Sequence, residues 1–121
     1  MTDRAMLVDS HCHLDFDDFD EDRNDVVARA RAAGIGLMVT ISTKITEAEK
    51  IIALAERYDD VVCSVGTHPH EAGNEPPTSA DDIVRLSRHP KVVGVGETGL
   101  DYFYEHSPRD AQQRNFRAHI A

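Results

Sequence analysis

No run of apolar residues in the chain approaches the roughly 18 that a membrane span requires, so no membrane partner is expected. The N-terminus, MTDRAMLVDS, has neither the basic head nor the apolar core of a secretory signal, and a cytoplasmic location is the expectation. Basic residues are few. With 13 Lys and Arg against 22 Asp and Glu, the net charge of −9 argues against salt-driven clinging to nucleic acid or to anionic lipid. A polyanionic substrate would need bound cations or a local basic patch. Cysteine is scarce as well: Cys12 and Cys63 form no C-x-x-C pair, and both are expected to be reduced and packed. Neither G-x-G-x-x-G nor G-x-x-x-x-G-K-[ST] follows the first apolar run, which removes the best support for a nucleotide-binding fold.

What is present suits one compact domain over residues 1–121, with 40% hydrophobic and 29% charged residues and too little length for two cores. The order of elements repeats. A strand is expected over Met6 to His11, then a helix from Asp22 to Ala33 carrying Val26, Val27, Ala30 and Ala33 and closed by Gly34. A second strand, Ile35 to Ile41, leads to Thr46 and Glu49, spaced as a capping box before the amphipathic series Ile51, Ile52, Leu54, Ala55 and Tyr58. The third strand is Val61 to Gly66, and Ser79 with Asp82 caps a helix bearing Ile83, Val84 and Leu86. A fourth strand, Val92 to Glu97, follows. Ser107 as N-cap, with Pro108 at the first helical position, starts a last helix that runs to Ala121.

Strict alternation of strand and helix predicts an α/β fold with a parallel sheet, either doubly wound or part of a (β/α)8 barrel. The polar residues favour the barrel. HCH follows the first strand, THPHE the third, and GETGLD ends the fourth, so the candidate ligands collect at the carboxyl ends of strands, where barrel enzymes build their sites. Four βα units amount to about half of a barrel of roughly 250 residues. The last helix stops without a Gly or Asn cap, and a four-stranded half barrel would expose two edges. The expectation is therefore a truncated chain, with self-association of two half barrels as the alternative.

In VDSHCHLD, strand periodicity points His11 and His13 the same way, with Asp9 on that side, as two ligands of one metal would be. Val93, Val95 and Glu97 share a face of the fourth strand in the same manner. Imidazoles suit zinc, manganese and similar ions while a carboxylate suits hard and borderline ions, so the residues leave the metal open. Cys12 points away and is assigned to the core.

VDSHCHLD, SVGTHPHE, VGVGETGLDYFY and QQRNFRAHI, in this order and at these intervals, resemble the N-terminal half of the TatD-family metal-dependent hydrolases. H-x-H alone is shared by many hydrolases, whereas GETGLD downstream of HPH is specific. The resemblance implies a barrel with two divalent ions (Mg, Mn or Zn) and hydrolysis of phosphodiester bonds in DNA, single-stranded or from 3′ ends. It also implies that His11 and His13 hold one ion and that Glu97 bridges both. The family's other ligands, two histidines and an aspartate, fall on later strands, beyond Ala121. Such chemistry needs ions roughly 3.5 to 4 Å apart that activate water and offset charge on the phosphate.

Asp101 is assigned a catalytic or water-positioning role beside Glu97, and His68 and Asp9 are placed next to the metal or the substrate, with His70 less favoured. Tyr102 and Phe103 offer either a stacking surface for an unpaired base or apolar packing on the rim. DFDDFDED, from Asp15 to Asp22, reads as a solvated loop. His89, His106 and His119 carry no functional assignment. Two other classes stay open: an amidohydrolase-type enzyme cleaving amide or ester bonds, which H-x-H alone would allow, and an inactive metal-binding half barrel. The chain by itself is expected to bind metal weakly and to have little nuclease activity.

Overall fold

The computed structural model describes residues 6–121, so the opening MTDRA of the stretch read for a secretory signal lies outside the described residues. Its elements alternate as the apolar periodicity requires: β1 (Leu7–Cys12), α1 (Arg23–Ala32), β2 (Ile35–Thr40), α2 (Ala48–Glu56), β3 (Val61–Val65), α3 (Ala80–Ser87), β4 (Val92–Val95) and α4 (Arg109–Ile120). The four strands form one sheet in the order β1-β2-β3-β4, with every neighbouring pair parallel. Each parallel neighbour needs a crossover, and α1, α2 and α3 supply the three. No helix among the described residues is long and apolar enough to cross a membrane.

The core lies between the sheet and the helices. Met38, Val61, Cys63 and Val65 pack against Val27, Ile51, Leu54 and Ala55. In α2 the spacing of Ile51, Leu54 and Ala55 puts all three on one stripe, with Tyr58 buried just past the helix end, and each large aliphatic residue buried there contributes about 1.5–3 kcal/mol. Burial holds the thiols of Cys12 and Cys63 up at about 12 and about 11, and the Cys12 sulfur donates to the Val39 carbonyl at 3.4 Å. Both cysteines are packed thiols, as expected. The edge strands differ from the centre: Leu7 and Val8 of β1 and Val93 and Val95 of β4 are exposed, whereas Met38 of β2 and Val61, Cys63 and Val65 of β3 are buried.

Several local expectations need correction. Thr46 and Glu49 form no capping box. A 3₁₀ turn over Ile45–Glu47 precedes α2, and Thr46 instead holds Glu75 through its N–H (3.1 Å) and hydroxyl (2.7 Å), a partner 29 residues away. Ser79 does cap α3, accepting the Asp82 N–H at 3.1 Å. Ser107 does not cap α4, because its hydroxyl donates to the His70 carbonyl (2.8 Å) and accepts the Gly73 N–H (2.9 Å), tying two loops together. Pro108 sits at the N-cap and Arg109 begins the helix. Ala33 is exposed just past α1, where Gly34 adopts φ +98°, the left-handed conformation that lets its N–H reach the Arg31 carbonyl. The acidic segment is not uniformly solvated either: Asp15 is buried, with the Thr40 hydroxyl directed at its carboxylate from 3.5 Å.

β4 ends before Glu97. The Gly96 N–H still donates to the Val65 carbonyl (2.9 Å), but the Glu97 N–H turns to the Ser42 carbonyl beyond β2 (2.8 Å). This departure demands a close approach of two backbones: a Cβ on Gly66 would lie 2.9–3.0 Å from the Gly96 backbone. Gly66→Ala is therefore expected to destabilise the fold by about 1–3 kcal/mol, as overpacking against an unyielding neighbour does. Denaturant unfolding checks it, and a midpoint equal to wild type would show that the two backbones can separate without cost.

Candidate metal site at the carboxyl end of the sheet

Each parallel strand delivers its carboxyl-terminal residues to the same end of the sheet, and an open cleft of about 550 Å³ lies there. His11 and His13 come from the end of β1, Lys44 from the loop after β2, His68 and His70 from the loop after β3, and Glu97 from the loop after β4. The ligand atoms of His11, His13 and Glu97 all lie within 4.8 Å of one another. Glu97 Oε2 stands 3.4 Å from His11 Nε2, and Glu97 Oε1 stands 3.3 Å from His68 Nε2.

Hydrogen bonds to the backbone decide which ring nitrogen of each histidine is free. His13 Nδ1 faces the Ile41 carbonyl at 3.1 Å, and only a protonated Nδ1 can bond there. Its Nε2 therefore keeps a lone pair for a metal. His68 is the reverse case: its Nδ1 accepts the His70 N–H at 3.0 Å, so the neutral ring carries its proton on Nε2, the nitrogen that stands 3.3 Å from Glu97 Oε1. His68 thus holds the carboxylate and offers no ligand atom itself. Burial lowers the pKa of His68, with the Glu97 charge opposing, which favours this neutral ring. Two imidazoles and a carboxylate suit a zinc- or manganese-class ion, and the donor set fits a divalent metal.

Glu97 is placed by buried hydroxyls. The Ser64 hydroxyl donates to the Gly96 carbonyl (2.7 Å) and accepts the Ser42 N–H (3.1 Å), while the Ser42 hydroxyl donates to the Gly66 carbonyl (2.8 Å). Both serines are buried, so each bond is made away from competing water. No motif marks them in the sequence beyond their being small polar residues at strand ends.

The structure brings His11, His13, His68 and Glu97 together and sets two other candidates apart. Asp9 does not line the cleft: β1 shifts register between Asp9 and Cys12, and the Asp9 carboxylate accepts the His11 N–H at 3.1 Å. Asp101 does not line it either. Its carboxylate bonds His70 Nε2 and accepts the N–H groups of Phe103 and Tyr104 at 3.1 Å each. These contacts, the His70 bond foremost, hold its pKa below the usual carboxylate range. Asp101 reaches the cleft only through the His70 ring. Asp15, taken from sequence as solvent-facing, lines the cleft with Phe16, whose ring stacks on His13 at a centroid distance of 4.6 Å.

His119, given no role from sequence, anchors the β3 loop from α4. Its Nδ1 donates to the Asn115 carbonyl (2.7 Å), leaving Nε2 to accept the Thr67 N–H (3.0 Å), and Asn115 Nδ2 donates to the Thr67 carbonyl (2.9 Å). Both backbone groups of the residue before His68 are thereby held, across 52 and 48 residues of sequence. Burial lowers the His119 pKa.

A parallel βα sheet with a His, His and Glu cluster at its carboxyl end belongs to the class of α/β barrel proteins that build their sites at the strand ends. Within that class, residues 8–121 match the family described as TatD related DNase, and the chain belongs to this family. It is 39% identical over 114 residues to the 3'-5' ssDNA/RNA exonuclease TatD of Salmonella typhimurium, covering 94% of this chain and 44% of the relative. It is 35% identical over 116 residues to the uncharacterised metal-dependent hydrolase YabD of Bacillus subtilis, covering 96% and 46%. The crystal structure of YJJV, a TatD homologue from Escherichia coli k12, superposes with a TM-score of 0.83 at 32% identity over 94% of this chain and 45% of that one. The chain thus spans somewhat less than half the length of these curated relatives, and its four βα units match part of a TatD barrel.

The clamp on Thr67 is open to direct test. His119→Ala leaves a buried N–H without an acceptor, and a loss of about 1–3 kcal/mol is expected, partly restored in His119→Gln by the amide oxygen. Because burial depresses the folded pKa of His119 below its ordinary 6.5, its contribution is complete above that pH and declines as pH falls below it. Urea titrations between pH 7.5 and 5 should show a shallower loss in His119→Gln; slopes identical to wild type would count against the clamp.

Proposed function

We propose that this chain carries part of the active site of a metal-dependent phosphodiesterase acting on DNA, single-stranded or at 3′ ends, with two divalent ions (Mg, Mn or Zn) in a complete site. The observation that supports it most is the convergence of His11, His13 and Glu97 in one cleft, with His68 holding the free side of the same carboxylate. The name of the Salmonella typhimurium relative as an exonuclease on ssDNA and RNA supports the substrate class.

In this reading His13 presents Nε2, His11 presents a ring nitrogen and Glu97 presents its carboxylate to divalent metal. A divalent ion held there supplies Lewis acidity toward a phosphate oxygen and makes a water nucleophilic near neutral pH. The chain's own part is positioning. Ile41 fixes the tautomer of His13, the two serines fix the backbone before Glu97, and His68 stands against one carboxylate oxygen at 3.3 Å. Asp101 acts through His70, holding that ring at the cleft wall. Six carboxylates line the cleft against two lysines, Lys44 and Lys50, so without cations the site repels phosphate.

Glu97→Gln should lower the affinity for manganese, measured by calorimetry, by about a hundredfold or more, exceeding what loss of an indirect contact causes. What little release of 3′ nucleotides from single-stranded DNA the chain by itself supports should require added divalent ion and should fall with the same variant. Tight manganese binding by Glu97→Gln, or cleavage indifferent to a chelator, would refute this assignment.

A further inference from the structure

The loop between β4 and α4 combines rigidity with exposed aromatic surface. Gln112, fully buried, accepts the Asp101 N–H (2.6 Å) and donates to the carbonyls of Asp101 (3.1 Å) and Ser107 (2.9 Å). Asp101 in turn holds the N–H groups of Phe103 and Tyr104. The backbone is therefore tied to the body of α4. Yet Phe103 is 86% exposed and Tyr104 63% exposed.

The rings run from the cleft outward. His70, which lines the cleft, meets Tyr104 edge-on at 5.9 Å, and Tyr104 meets Phe103 at 4.7 Å, nearly perpendicular. Beside them the Arg109 guanidinium lies 4.3 Å from the centre of the Tyr102 ring. Flat π-faces on a fixed backbone, continuous with a cleft that takes a phosphodiester, fit an unpaired nucleobase, because every base has a face to stack irrespective of sequence. Charge points the same way. The net charge of −9 over these residues gives the phosphate backbone little attraction outside the metal site, so stacking on bases would add grip that this charge does not supply.

We infer that Phe103 and Tyr104 form a base-stacking platform that holds single-stranded nucleic acid next to the metal cleft. The inference rests on the phosphodiesterase reading for the identity of its ligand. Its test is kept separate from catalysis by working in chelator, where no cleavage occurs. Anisotropy of a fluorescein-labelled single-stranded oligodeoxynucleotide is compared with that of an abasic oligomer of equal length and charge. The base-bearing oligomer is expected to bind at least tenfold more tightly. Phe103→Ala and Phe103→Leu should each lose about tenfold on it, as removal of one stacked base does, and lose nothing on the abasic oligomer. Tyr104→Ala should behave likewise. Equal affinity for the two oligomers, no binding of either, or full affinity in the Phe103→Leu and Tyr104→Ala variants would overturn the platform; the last would leave the rings as apolar contact surface for protein. Manganese affinity measured by calorimetry, with no nucleic acid present, reads the cleft alone. It should be unchanged in the Phe103 and Tyr104 variants and weakened in Glu97→Gln, so absence of manganese binding in wild type would fault the phosphodiesterase reading and not the stacking result.

Discussion

Curvature of the sheet is the constraint on which the site depends. β1 and β4 are its two edges, and three strand spacings of about 4.8 Å would separate them by about 14 Å in a flat sheet. Yet the Glu97 N–H, just past β4, reaches the Ser42 carbonyl, just past β2, at 2.8 Å, although β3 lies between them. The strand ends must therefore curl toward one another, as the wall of a barrel does. Gly66 permits that curl by letting the Gly96 backbone approach within the space of its missing Cβ, and Ser42 and Ser64 hold it with hydroxyl bonds that link the ends of β2, β3 and β4. The Glu97 N–H bonded to Ser42, past β3, is the clearest mark of the curl.

Charge explains why such a site calls for metal. Carboxylates crowd the cleft wall from Asp15, Asp17 and Asp18 on one side to Glu71 and Glu97 on the other. Lys50 is engaged by Asp17 at 3.7 Å, which leaves it little free positive potential. Solvation and counterions make that repulsion tolerable in an open cleft, and a divalent ion converts it into attraction for a phosphate. The acidity that argues against general nucleic-acid binding is thus compatible with binding one phosphodiester at one place.

Much of this was legible in the sequence, and the boundary is physical. Strand and helix alternation and the Ser79 cap follow from short-range periodicity, and the grouping of His11, His13 and Glu97 from motif position and the resemblance to the TatD family. Local rules failed where a distant partner took over a side chain. Thr46 bonds Glu75 and not the first turn of α2, Ser107 bridges the loops at His70 and Gly73, and Asp15 turns toward Thr40. Ser42, Ser64, Asn115 and His119 were invisible for the same reason: each acts on a residue at least 22 positions away. Nothing local distinguishes a serine at a strand end that bridges three strands from one that meets water.

The histidines carry that argument to the level of single atoms. His13, His68 and His119 are the same residue type, and in each a backbone group occupies one ring nitrogen, yet they are put to three uses. A carbonyl at Nδ1 makes His13 a free base at Nε2. An N–H at Nδ1 makes His68 a donor at Nε2, suited to hold a carboxylate and unsuited to bind an ion. A carbonyl at Nδ1 of His119 again frees Nε2, but that nitrogen meets the Thr67 N–H and is spent on the loop. The backbone partner of one nitrogen decides what the other can do, and that partner is set by how the strand ends and loops pack. Reading chemistry from histidines in a sequence therefore means asking first which backbone groups the fold brings to each ring.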